Sequence, residues 1–307
     1  MGVRIDRINA RKQKKKKILK TIVLFMVLGT FIIFINIIIA VKLFAKDANK
    51  NVAAAGENTY NSEIGDKRID NNIPYEKDEN ADDVAFLENY LYQQELGVMP
   101  DGADGRKVVY LTFDDGPSTT VTPIILDILK KENVKATFFV IGSVVDSNEQ
   151  TKELLKREVK EGHAIGNHTY SHDYNYLYPD GIINIENFMG EIEKVNKSFK
   201  DILGEDFSTR VIRFPGGYVS WKDDDDINSL LKEKGYYHID WNSLSKDSEG
   251  GSKLADELIE EIKESVKGRE KAIILMHDTY GKEETAKALP KIIAYLKENG
   301  YVFRTIK

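Results

Sequence analysis

The sequence predicts an α/β fold, a deformed (β/α) barrel of about seven parallel strands. Short apolar segments alternate with amphipathic helical segments from residue 107 to residue 307. The apolar segments are nearly continuous, as expected for strands that are covered on both faces. Five of them end in Asp, His or Arg, and the chemistry of parallel β/α folds lies at the carboxyl ends of the strands. Alternation alone does not decide closure, so an incomplete barrel and a doubly wound sheet remain alternatives.

The predicted elements follow one another in strict order. The seven strands are predicted at 108–113, 136–142, 163–169, 210–214, 236–241, 272–277 and 301–306. The six helices between them are predicted at 122–133, about 151–161, about 185–203, 227–235, about 253–266 and 287–300. Pro123 lies in the first turn of one helix, and Gly162 and Gly235 end two others. A strand-helix order of this kind indicates helical crossovers between parallel strands.

The first part of the chain predicts a membrane anchor. Residues 1–20 contain nine Lys or Arg and one acid, and residues 21–41 contain no charged side chain. A helix of that length spans about 32 Å, enough for a hydrocarbon core of about 30 Å. The positive-inside rule then places the basic tail in the cytoplasm and the rest of the chain outside the cell membrane. A cleaved signal peptide and a buried soluble helix are the alternatives.

Residues 42–83 are rich in Asn, Asp, Glu and Lys and predict a solvated acidic linker. Residues 84–105 begin with apolar residues at helical spacing and predict a short helical lead-in, which precedes a catalytic domain at 106–307. The basic tail suits anionic lipid better than nucleic acid, because an apolar segment follows it. We expect no nucleotide binding either, since no glycine-rich phosphate loop follows a strand.

The composition bounds the chemistry. The chain has 307 residues, a formal net charge of −6 and no cysteine. Disulfides, thiolate metal sites and cysteine nucleophiles are therefore excluded. Its five histidines are His163, His168, His172, His238 and His277. We interpret His163 and His238 as structural, because one begins a predicted strand and the other lies in the middle of one.

Two features predict a metal site. Asp114 and Asp115 are adjacent carboxylates at the end of the first strand of the barrel, an arrangement that a nearby cation would stabilise. His168 and His172 follow the third strand at i, i+4 spacing, and one helical turn would bring both imidazoles to one face. Two histidines and one carboxylate suit a divalent transition metal and leave coordination positions open.

Five short segments together resemble a known family. TFDDG (112–116), HTYSH (168–172), RFPGG (213–217), DWN (240–242) and LMHD (275–278) resemble the ordered motifs of the polysaccharide deacetylases, the NodB-like carbohydrate esterase family 4. The resemblance covers about residues 106–307. It implies a deformed (β/α) barrel and the metal-dependent removal of acetyl groups from N-acetylated, sometimes O-acetylated, sugars.

The resemblance also implies roles for the carboxylates and histidines. Asp115, His168 and His172 match the ligands of a divalent metal, zinc or alternatively cobalt. Asp114 matches the general base, and a water held by the metal is the nucleophile. His277 matches the general acid that protonates the leaving amine.

The remaining motif residues match supporting roles. Asp240 matches the carboxylate that orients the general acid, and Arg213 matches the cation that positions the base. Trp241 and Leu275 match the apolar pocket for the acetyl methyl group. Gly216 stands where many members carry a tyrosine whose backbone N–H binds the oxyanion, and we expect its own N–H to serve. Tyr218 is then the residue expected to fill the space of the missing side chain.

The expected substrate is the N-acetylglucosamine of peptidoglycan, because an anchored external domain suits a cell-wall polymer. N-Acetylmuramic acid, chitin oligomers and O-acetylated xylan are the alternative glycans. Two other classes remain open, a non-catalytic glycan-binding module and an oxygen-activating non-haem iron enzyme with the same ligand types. The β/α alternation and a histidine acid at a strand end count against the iron enzyme.

Overall fold

The computed structural model describes residues 77–222 and 224–307. The helices are α1 Val84–Glu95, α2 Thr122–Glu132, α3 Gly142–Val145, α4 Glu149–Lys160, α5 Tyr174–Leu177, α6 Ile185–Leu203, α7 Asp224–Glu233, α8 Ala255–Ser265 and α9 Glu283–Glu298. The strands are β1 Ala81–Asp82, β2 Val108–Asp114, β3 Thr137–Val140, β4 Ala164–Asn167, β5 Val211–Ile212, β6 Tyr237–His238, β7 Ser243–Leu244, β8 Lys271–His277, β9 Val302–Phe303 and β10 Thr305–Ile306. The alternating α/β order of the prediction is confirmed.

The main sheet is parallel and curls into a half-barrel. Its strand order is β6-β5-β4-β3-β2-β8-β7, and β9 pairs with β2 beside this path. In the described residues the end strands β6 and β7 do not pair with each other, so the sheet is the incomplete barrel rather than the closed one. Strands β1 and β10 form a separate two-stranded sheet, which divides the single C-terminal strand of the prediction in two.

The register of the central strands aligns their carboxyl ends. Asp114 of β2 lies opposite His277 of β8, and Val140 of β3 lies opposite Asn167 of β4. Loops that leave these strands therefore begin at one edge of the sheet, as in other parallel β/α folds. The polar residues that follow the strands meet at that edge.

Three apolar clusters hold the half-barrel together. Helices α2, α4, α8 and α9 cover one part of the outer face, and helices α6 and α7 cover the part near β5. The inner face packs on α1, whose Val84 and Leu87 are fully buried against Tyr110, Phe139 and Ile273. The apolar spacing seen in the sequence of α1 is thus a core contact, and the predicted lead-in helix packs into the barrel rather than lying on its surface.

The predicted basic tail at 1–20, the membrane helix at 21–41 and the linker as far as residue 76 lie outside the described residues. Within residues 77–222 and 224–307, every helix is too short or too polar to cross a membrane.

Candidate active site

The two adjacent carboxylates reach the same side of the sheet because of the backbone between them. Asp114 ends β2 and is buried, whereas Asp115 follows with φ +70°. Successive strand residues normally point to opposite faces, and positive φ is uncommon outside glycine. The left-handed residue brings both carboxylates to His168, with Asp114 Oδ2 at 3.7 Å and Asp115 Oδ1 at 3.4 Å from its Nε2.

A close approach fixes the turn that follows. A Cβ atom on Gly116 would lie 2.2 Å from the carboxylate of Asp278, so only glycine fits there. Asp278 in turn donates its backbone N–H to the carbonyl of Asp114 and accepts a hydrogen bond from the Thr122 hydroxyl. The end of β8 thereby holds the end of β2 in place.

A strained loop, not a helix, brings the two loop histidines together. His168 follows β4 directly, and Thr169 and His172 have φ values of +64° and +55°. The ring centroids of the two histidines lie 5.0 Å apart. The expected proximity is therefore confirmed, but the expected helical turn is wrong. The Asn167 side chain supports the loop by accepting the N–H of Thr169.

A backbone carbonyl selects the tautomer of His168. Its Nδ1 lies 2.8 Å from the carbonyl oxygen of Arg213, which can only accept a hydrogen bond. Nδ1 therefore carries a proton, and Nε2 is the ring nitrogen that faces Asp115, 3.4 Å from its Oδ1. Histidines that bind metals are commonly oriented in this way, through a hydrogen bond from the other ring nitrogen.

The three predicted ligands fit a divalent cation. One ligand atom each from Asp115, His168 and His172 lies within 4.8 Å of the others, the only cluster of this kind in the described part of the chain. Asp115 Oδ1 is buried without a hydrogen-bond partner, and it lies 3.4 Å from Nε2 of each histidine. A buried carboxylate oxygen in that state is costly unless a cation or proton meets it.

Burial and neighbouring charges set the protonation of this cluster. Burial raises the pKa of Asp115, but the attraction of the nearby imidazoles of His168, His172 and His277 outweighs it, so the pKa of Asp115 is below its ordinary value. Burial, together with the charge of His168, lowers the pKa of His172 to about 4. His172 is therefore neutral near pH 7, as a metal ligand must be.

Arg213 holds Asp114. The guanidinium is fully buried, and its Nη1 donates to Asp114 Oδ1 at 2.8 Å and to the Thr112 hydroxyl at 2.7 Å. It also donates from Nε to the carbonyl of Ile239 and stacks on the ring of Phe139 at 3.9 Å. A buried cation requires this degree of pairing. One oxygen of Asp114 is thus occupied, and Oδ2 is left facing His168.

Asp247, which the sequence interpretation missed, orients His277. Its Oδ1 lies 2.8 Å from Nδ1 of His277, and its Oδ2 accepts the backbone N–H of His277 at 2.9 Å. The opposite ring nitrogen of His277 lies 4.0 Å from Asp115 Oδ2. Burial lowers the pKa of His277, but the hydrogen bond and charge of Asp247, aided by the charges of Asp114 and Asp115, raise it above its ordinary value.

The expected contact between Asp240 and His277 is wrong. Asp240 accepts the backbone N–H groups of Tyr218 and Val219 and makes no contact with His277 in the described residues. The strand order explains the difference. Asp240 lies just beyond β6, at one end of the sheet, whereas Asp247 lies just beyond β7, which pairs with β8. Asp240 holds the turn after β5, and burial raises its pKa.

The other predicted residues lie around this centre. Leu275 shares a face of β8 with His277, because the two are separated by one residue. The Trp241 ring lies 5.7 Å from the Arg213 guanidinium, and a Cβ on Gly217 would lie 3.0 Å from that ring.

The remaining histidines lie apart from the cluster. Nδ1 of His163 accepts the N–H of Ala136, and Nε2 of His238 lies 3.2 Å from Oε1 of Glu88. Within the described residues, neither histidine contacts Asp115, His168 or His172. Tyr218 stacks on His238 at 3.9 Å. The side chains nearest to Gly216 are Trp221 and Tyr174, so the expectation that Tyr218 fills this space is wrong.

Comparisons with known proteins agree with this geometry. Residues 101–239 match the family model described as polysaccharide deacetylase. The chain is 33% identical over 204 residues to a peptidoglycan-N-acetylglucosamine deacetylase of Bacillus cereus, covering 66% of this chain and 88% of that protein. It is 36% identical over 226 residues to the peptidoglycan-N-acetylglucosamine deacetylase PgdA of Listeria monocytogenes, covering 73% of this chain and 44% of that protein.

Two solved structures extend the comparison to the fold. A Streptococcus mutans CE4 esterase superposes with a TM-score of 0.64 at 33% identity, covering 73% of this chain and 90% of that one. The catalytic domain of a peptidoglycan N-acetylglucosamine deacetylase from Eubacterium rectale superposes with a TM-score of 0.57 at 32% identity, covering 66% of this chain and 89% of that one. The chain therefore belongs to the polysaccharide deacetylase family, carbohydrate esterase family 4, and is a deacetylase that hydrolyses amide bonds.

Proposed function

We propose that this protein removes N-acetyl groups from the N-acetylglucosamine residues of peptidoglycan in a metal-dependent hydrolysis. The observation that carries the proposal is the convergence of Asp114, three cation ligands and His277 at one edge of the sheet. The choice of polymer is supported by relatives from Bacillus cereus and Listeria monocytogenes that are named for this substrate. N-Acetylmuramic acid, chitin oligomers and O-acetylated xylan are the alternative substrates.

The residues divide the chemistry among them. When bound to Asp115, His168 and His172, a divalent cation such as zinc or cobalt polarises a carbonyl and lowers the pKa of water. Asp114 takes the proton of the attacking water at Oδ2, because Arg213 occupies its Oδ1.

The other groups serve the acyl oxygen and the leaving amine. The N–H of Gly216 donates to the acyl oxygen as negative charge develops there. His277 gives the proton on Nε2 to the leaving nitrogen, and Asp247 keeps the ring charged and oriented. Leu275 and Trp241 line the place of the acetyl methyl group.

The test is acetate release from purified peptidoglycan by the full-length chain, with and without added zinc and after chelation. We expect zinc-dependent release, and we expect Asp114→Asn to reduce its rate by about 10²- to 10⁴-fold, the usual contribution of a general base. Mass spectra of the digested glycan identify the sugar that lost its acetyl group. Release only from chitin or xylan oligomers would show that the substrate is one of those glycans and not peptidoglycan. No release from any of these glycans would favour a non-catalytic glycan-binding module.

We also propose that the catalytic domain acts outside the cell, with residues 21–41 as a membrane anchor. The proposal is supported by the charge pattern around this uncharged segment and by the location of the proposed substrate. Protease added to intact cells is expected to digest residues 77–307 and to spare an epitope placed before Arg4. Full protection of the catalytic domain in intact cells, with digestion after lysis, would contradict the proposed orientation.

A further inference from the structure

The backbone turn at Gly216 lies against side chains from other segments of the chain. Gly216, whose N–H is the proposed donor to the acyl oxygen, has φ +79°. A Cβ placed on Gly216 would lie 3.0 Å from a ring carbon of Trp221 and 3.3 Å from the hydroxyl oxygen of Tyr174. Two aromatic side chains from other segments therefore surround this position.

Tyr174 is held at the edge of the site by its neighbours. It begins α5, whose N-terminus is capped by the Asp173 carboxylate. Its ring centroid lies 5.3 Å from that of His172 and 5.4 Å from that of Trp221. Trp221 is itself fixed, because it stacks on Tyr178 at 3.9 Å. The ring of Tyr174 thus has a defined position between a metal ligand and the Gly216 turn.

The hydroxyl of Tyr174 has no hydrogen-bond partner within the described residues, and 44% of this residue is exposed. A rigid aromatic side chain with an available O–H donor at the edge of a polar site is a typical ligand contact, since the ring packs and the hydroxyl orients. The backbone of Gly216 lies beside this hydroxyl, because a Cβ on Gly216 would be 3.3 Å from its oxygen.

We propose that Tyr174 is a substrate-binding residue whose hydroxyl donates a hydrogen bond to the acetamido group of the sugar bound beside Gly216. This inference rests on the proposed deacetylase function and assigns a specificity determinant to it. Tyr174 begins α5, two residues after the proposed metal ligand His172.

The test uses Tyr174→Phe, which keeps the ring packing on His172 and Trp221 and removes only the hydroxyl. The matched control is Tyr176→Phe, because Tyr176 lies on the same short helix and is 47% exposed. Binding of the N-acetylglucosamine tetramer is measured on the zinc-loaded full-length chain carrying Asp114→Asn, so that no turnover occurs. We expect Tyr174→Phe to weaken binding by about three- to tenfold, the usual range for one hydrogen bond.

Three further readouts separate this role from a structural one. Zinc affinity and the unfolding temperature are expected to stay unchanged in Tyr174→Phe, and Tyr176→Phe is expected to bind the tetramer within twofold of the parent. Tetramer binding within twofold of the parent for Tyr174→Phe would overturn the inference. If the wild-type chain released no acetate but Tyr174→Phe still weakened tetramer binding, the proposed reaction would fail and the sugar contact would stand.

Discussion

At the residue scale, the site depends on backbone conformations that most residues avoid. Asp115, Thr169 and His172 all have positive φ, each at a cost of the order of 1–3 kcal/mol. Hydrogen bonds around the loop offset part of this cost. Asn167 accepts the N–H of Thr169, and Glu191 accepts both the N–H and the hydroxyl of Ser171. The loop that carries His168 and His172 is therefore held in place by hydrogen bonds to its own backbone and side chains.

The pH dependence of activity belongs to this scale and depends on His277. As a general acid it acts in its protonated form, so activity falls as pH rises through its pKa. Asp247 is the main group that raises this pKa, against the effect of burial. We expect Asp247→Asn to lower the pKa of His277 and to move the alkaline limb of kcat/KM to lower pH by about one unit. Acetate release measured from pH 5 to pH 10 checks this shift.

Ser248→Ala is the matched control, because the Ser248 hydroxyl lies 3.1 Å from Nδ1 of His277 but carries no charge. Its alkaline limb is expected to stay within about 0.3 pH units of the wild type, since no charge is removed. An alkaline limb that stays in place in Asp247→Asn would show that another group controls it.

At the element scale, the sequence predicted those strands that lie within an apolar segment. β2 and β8 each have seven residues and are buried almost throughout, and their predicted ranges agree with the structure to within one residue. β7 consists of Ser243 and Leu244 and is flanked by the polar residues Asn242, Ser245 and Lys246, so no apolar segment marks it in the sequence. The missed strand explains the missed carboxylate, because Asp247 follows β7.

The rule that functional residues lie at the carboxyl ends of parallel strands also has a limit at this scale. It indicated Asp114, Asp115, His168 and Arg213, all of which the structure brings together. It could not choose the partner of His277, since the rule gives the edge of the sheet but not the order of strands along it. That order depends on long-range pairing of β8 with β2 and β7.

At the scale of the whole molecule, the fold buries a carboxyl group that the reaction does not use. Glu158 of α4 is fully buried, and neither of its carboxylate oxygens has a hydrogen-bond partner in the described residues. Burial, and then the charge of Asp278, raises the pKa of Glu158 well above its ordinary value. Glu158 therefore keeps its proton to higher pH in the folded protein than in the unfolded chain.

The raised pKa of Glu158 predicts how global stability depends on pH. Above the ordinary pKa of glutamate, Glu158 loses its proton in the unfolded chain but keeps it in the folded protein. The contribution of Glu158 to the free energy of unfolding therefore decreases as pH rises toward its pKa in the folded protein. We expect Glu158→Gln to gain stability relative to wild type between pH 4 and pH 8, by more than about 1 kcal/mol, since one pKa unit is worth about 1.4 kcal/mol. Denaturant unfolding at both pH values measures the difference.

Glu153→Gln, on the same helix but with an exposed side chain, is expected to show a change of less than about 0.5 kcal/mol. Equal pH dependence in the two variants would mean that Glu158 is ionised in the folded protein.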